Sequence, residues 1–87
     1  MFKYTATTLK KIEEVFSQAG YIIRYEKGNF KPGYCILQDK KVVVINRYFE
    51  TEARINTLLE ILPQLEIDEN LLSEEARAFF EKNLQKA

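Results

Sequence analysis

The side chains best suited to chemistry in this 87-residue chain are concentrated in Arg24-Tyr25-Glu26-Lys27-Gly28-Asn29-Phe30-Lys31-Pro32-Gly33-Tyr34. Rings interleaved with cations are what unpaired nucleobases require: the rings offer stacking platforms while Lys and Arg follow the phosphates. Arg24, Tyr25, Lys27, Phe30, Lys31 and Tyr34 are therefore candidate contacts for single-stranded nucleic acid or for another partner. The plainer reading is a hairpin loop whose Phe30 and Tyr34 fold over the core edge while the lysines stay in water.

Other chemistries find fewer groups. Histidine is absent, so no side chain has an ordinary pKa near neutrality and the commonest metal ligand is missing. A general acid or base would have to be a carboxylate, lysine or tyrosine shifted by its surroundings. A carboxylate-dependent hydrolase would need two acids facing each other across a pocket, with Glu26 and Asp39 as possible members. Cys35 stands mid-strand between Tyr34 and Ile36 with no histidine to activate it, and reads as core packing. Asp68-Glu69-Asn70 lacks the alternating ligands and central glycine of a calcium loop and reads as solvated surface. These residues point to a non-enzymatic chain with no cofactor and no metal.

Composition sets the frame around them. The chain is 46% hydrophobic and 30% charged, with 13 Lys+Arg against 13 Asp+Glu, and carries six Phe and five Tyr. That is enough apolar surface for one small globular domain over residues 1–87 and argues against a disordered tail. The longest aliphatic run, Val42 to Ile45, is far short of a membrane span, and Met1-Phe2-Lys3-Tyr4-Thr5 has no secretory character. A single cysteine agrees with a reducing, cytoplasmic setting. The neutral total hides an asymmetry: residues 1–47 hold nine basic groups against four acidic, and residues 48–87 hold four against nine. Such halves can neutralise each other within one fold, or support head-to-tail association.

The elements follow from hydrophobic period. Leu9, Ile12, Phe16 and Ala19 recur at helical steps, predicting a helix over about 6–19 with threonine caps and Gly20 at its close; Lys10, Lys11, Glu13 and Glu14 fall largely on the wet side. Residues 21–26 are rich in aromatic and β-branched types and read as a strand, followed by a loop at 27–33. A second strand over 34–38, a turn at Asp39-Lys40 and a third strand over 41–46 complete a sheet. Thr51 can cap a helix built on Ile55, Leu58, Leu59 and Leu62 and ended by Pro63. A loop over 64–72 carries apolar anchors at Leu65 and Ile67. Ser73 caps a last helix burying Ala76, Phe79, Phe80 and Leu84. The expected fold is α+β: a two-layer αβββαα domain with a three-stranded antiparallel meander packed on helices.

That arrangement leaves one sheet face without helices. Val42/Val44 and Val43/Ile45 are apolar on both sides, which makes the third strand central or doubly covered. An uncovered apolar face marks a partner surface, most simply a homodimer. The expectation is a protein-interaction module, possible self-association included, with no membrane partner; binding of single-stranded nucleic acid through residues 24–34 is the alternative.

Three resemblances accompany these readings. Lys27, Gly28 and Phe30 resemble the glycine-aromatic strands of cold-shock and RNA-recognition domains, although the second aromatic is displaced and αβββαα is not their order. Residues 6–63 resemble the minimal core of zincin-type metallopeptidases, in which a strand precedes a His-Glu-x-x-His helix. Glu60 matches the glutamate, but Leu59 and Pro63 stand where the histidines belong, so the resemblance implies a scaffold without metal or hydrolysis. Most of the chain resembles a family of small uncharacterised bacterial proteins through Lys27–Cys35, Val42–Asn46 and Arg54–Leu58, a likeness that implies no activity.

Overall fold

A computed structural model describes residues 3–28 and 33–84. Helix α1 (Ala6–Gln18) starts where the Thr5 hydroxyl accepts the Thr8 N–H, and it ends ahead of Gly20, whose φ of +94° only glycine adopts without strain. Strands β1 (Ile22–Glu26), β2 (Tyr34–Leu37) and β3 (Val42–Asn46) form one sheet. Helix α2 (Thr51–Ile61) runs into a 3₁₀ turn at Leu62–Gln64, and α3 (Glu74–Phe79) runs into a π-helical turn at Phe80–Leu84. The expected mixture of helices and three strands is present. Among the described residues no helix is long and apolar enough to cross a membrane.

The sheet is mixed, which corrects the antiparallel meander. Its order is β1-β3-β2, with β1 parallel to β3 and β2 antiparallel to it. Parallel neighbours need about a dozen or more connecting residues, and the stretch 27–41 supplies that length with β2 inside it. The strand that is apolar on both faces takes the centre, one of the two placements its pattern allowed. A tight 3₁₀ turn at Gln38–Lys40 joins β2 to β3 and closes with Lys41 at φ +54°. Strand β2 therefore ends at Leu37 and β3 begins at Val42, one residue inside each expected end.

Alternation along the strands decides the layers. Ile23, Tyr25, Val43, Ile45, Tyr34 and Ile36 lie in register on one face and pack with the core. Val43 and Ile45 are fully buried there, with Ile12, Val15 and Phe16 of α1 and Ile55, Leu58 and Ile61 of α2. Each such side chain contributes about 1.5–3 kcal/mol relative to exposure. Ala76, Phe80 and Leu84 of the C-terminal helix and Leu72 just before it close the same cluster, while Leu65, Ile67 and Phe79 are only partly buried against it. Ser73 caps α3 as expected, its hydroxyl accepting the Ala76 N–H. Thr51 does not cap α2: it is the first helical residue, and Glu50 holds the cap position without a side-chain hydrogen bond.

Candidate functional site

The other face of the sheet is the part of the molecule that the described helices leave open. Register places Ile22, Val42 and Leu37 in one row across the three strands and Arg24, Val44 and Cys35 in the next. Ile22 is 58% exposed and Leu37 44%, values far from those of Val43 and Ile45 on the covered side. Val42, Val44 and Cys35 are half-buried. Beyond the second row the face turns polar with Glu26 and Asn46, and Arg24 Nε meets Glu26 Oε2 at 2.6 Å. That ion pair is largely in water and neutralises the face without adding much stability.

Cys35 is thus not a core residue, contrary to its reading from sequence. Position 35 shares the parity of Leu37 and pairs with Val44, and strand alternation turns both toward the open side.

The four described basic-aromatic candidates, Arg24, Tyr25, Lys27 and Tyr34, are divided between the two sheet faces and the end of β1. Tyr25 and Tyr34 both flank Ile45 on the helix-covered face, where Tyr34 Oη accepts from Gln64 Nε2 at 3.3 Å. Arg24 lies on the opposite face, and Lys27 is exposed just past the end of β1. Phe30 and Lys31 lie outside the described residues.

Tyr25 belongs instead to a polar clasp between elements that the sequence did not reveal. Its hydroxyl donates to Glu13 of α1, and the Arg54 guanidinium of α2 lies over its ring at 4.2 Å from the centroid. Arg54 also donates from Nε to the Phe49 carbonyl at 2.8 Å and from Nη2 to the Arg47 carbonyl at 2.9 Å. One arginine thereby holds the β3–α2 connection and stacks on β1, using the fixed fork of its guanidinium. Burial, then the hydrogen bond to Glu13, push the Tyr25 phenol above its ordinary pKa. Glu13, assigned by period to the wet side, is half-buried because this hydroxyl reaches it.

Glu69 hydrogen-bonds to the side chain of Glu81, a contact that raises its carboxyl above the ordinary carboxylate range. Glu26 is paired with Arg24, while Asp39 stands in the β2–β3 turn at the far end of the sheet. The Asp68 carboxylate accepts the Asn70 N–H and caps a short 3₁₀ turn, Glu69–Leu71. Glu60 and Asn56 are exposed on α2. A shallow cleft of about 40 Å³ between α1 and α3 is lined by Lys11, Glu14, Glu75, Ala76 and Phe79, with both acids exposed. Among the described residues no three acids or cysteines converge as metal ligands would.

Comparison with models of known families, with curated proteins and with solved structures finds no match to the chain.

Proposed function

We propose that this chain is a non-enzymatic protein-interaction module whose working surface is the open sheet face. The observation that carries this reading is the apolar patch of Ile22, Leu37, Val42, Val44 and Cys35, opposite the helix-covered core. Water at such a patch is displaced favourably by any apolar surface of matching shape, and contiguous patches of this kind mark partner sites. A second copy of the chain is the simplest partner, because it brings the same apolar surface.

The charge on the face supports a protein rather than nucleic acid. Arg24 is already met by Glu26, and the candidate tyrosines Tyr25 and Tyr34 face the helices. A phosphate chain needs a run of free cations to release its counterions, and the described residues of this face do not offer one. The non-enzymatic part of the reading is supported by the exposure of Glu14 and Glu75 at the shallow cleft and by the hydrogen-bonded Glu69–Glu81 pair lying outside it.

Sedimentation velocity across a concentration series tests the proposal. Wild-type protein is expected to gain mass as concentration rises into the high micromolar range, and Val44→Asp to remain monomeric at equal concentration. A wild-type chain that stays strictly monomeric would count against self-association.

A further inference from the structure

The Glu69–Glu81 contact plays no part in the open-face reading, and its chemistry leads elsewhere. Glu69 opens the 3₁₀ turn Glu69–Leu71, and Glu81 stands in the π-helical turn Phe80–Leu84. Arg77 of α3 fixes their approach, because its Nε donates to the Glu69 carbonyl at 3.3 Å. Residues four apart share a helix face, so Arg77 and Glu81 meet the 3₁₀ turn together.

A hydrogen bond between two carboxyl groups needs one proton, since an ionised carboxylate only accepts. The contact therefore holds while the pair carries a single proton and is lost when both groups ionise. We propose that Glu69 and Glu81 form a proton-operated latch, which holds the 3₁₀ turn against the π-helical turn in mild acid and releases it as pH rises.

The surroundings set the direction. Among the described residues the charged groups facing Glu69 are Glu81, which favours its proton, and Arg77, which opposes it. The hydrogen bond to Glu81, then loss of hydration, then the Glu81 charge hold the Glu69 carboxyl above the ordinary carboxylate range. Folding thus favours the protonated form: the contact is complete below that range and is lost as pH climbs through the raised value. Asp68, the other acid of this turn, is occupied, its carboxylate accepting the Asn70 N–H at 3.0 Å. Once released, the Glu81 carboxylate has Arg77 four residues before it, so a contact between elements is exchanged for one along the helix. Leu72 directly follows the 3₁₀ turn, and Phe80 and Leu84 bound the π-helical turn; all three are buried in the core cluster. The latch joins two segments that are each anchored there, and its release changes their outer turns while the anchors hold.

NMR of the full chain, following amides and side-chain carboxyl carbons from about pH 3 to about pH 8, reads the latch. Glu69 is expected to titrate above the other glutamates, and the amides of 69–72 and 80–84 to move with the same midpoint. Glu81→Gln removes the second carboxyl, so the Glu69 midpoint is expected to fall and the amides of 80–84 to stop following it. Arg77→Gln removes the opposing cation, and the midpoint is expected to rise. Opposite shifts from two neighbouring substitutions are not what a merely structural role for either residue would give. Val44→Asp, on the open sheet face, is expected to leave the titration unchanged, so the latch and the interaction-module reading succeed or fail separately. Titration of Glu69 together with the other glutamates in the wild-type chain would overturn the latch. So would amides of 80–84 that move identically in wild type and in Glu81→Gln.

Discussion

Gly33 shows how much a single position can fix. Its φ of +116° lies where a side chain is strained, and a Cβ there would sit 2.4 Å from Phe49 Cζ. Its carbonyl accepts the Asn46 N–H, so the same residue that meets the Phe49 ring also anchors the start of β2 to the end of β3. Gly33→Ala must therefore displace a partly buried ring and adopt a disfavoured backbone together. A loss of about 2–4 kcal/mol in urea-derived stability is expected; a change within about 0.5 kcal/mol of zero, the range of ordinary surface substitutions, would show that the Phe49 contact does not hold. Residue-level roles were the least legible from sequence. Gly33 could be read as loop punctuation, but its partner lies sixteen positions away. Glu13 followed the helical period to the wet side, and only the Tyr25 hydroxyl makes it a half-buried acceptor. The parity that turns Cys35 outward becomes visible once β2 is paired with β3.

At the scale of elements, the helices were legible and the order of the strands was not. Leu9, Ile12, Phe16 and Ala19 announced α1 because helical contacts repeat every three to four residues and need no distant partner. Strand order is decided between residues far apart in sequence, where a run of 27–41 permits either a hairpin or a passage to the other edge. The one local clue, valine on both faces of β3, did mark the central strand. The clasp of Glu13, Tyr25 and Arg54 now joins α1, β1 and α2, and it carries a pH dependence. In the unfolded chain the phenol gives up its proton near pH 10, whereas in the folded chain burial and the bond to Glu13 hold that proton to higher pH. The stability this provides is fully present below pH 10 and is lost as pH rises beyond it, by up to about 1.4 kcal/mol per pH unit. Tyr25→Phe is expected to cost about 1 kcal/mol at neutral pH by removing the donor to Glu13. It should also flatten the alkaline decline relative to wild type. Equal declines in both proteins, followed by thermal unfolding between pH 8 and 11, would remove Tyr25 as the cause.

For the molecule as a whole, the sheet divides two environments. One face is sealed by α1, α2 and the C-terminal helix around Val43 and Ile45, and the other keeps Ile22 and Leu37 in water. The expectation of an uncovered face came from counting helices against strands. Its composition came only with the register, which adds Leu37 and Cys35 to Ile22, Val42 and Val44. The most direct test of the open face as the working surface is the amide NMR spectrum followed as the protein is diluted from millimolar to low micromolar concentration. The account predicts concentration-dependent shifts confined to Ile22, Arg24, Cys35, Leu37, Val42 and Val44, with α1 and α2 unmoved. Spectra that superimpose throughout, or shifts centred on the helical side, would contradict it.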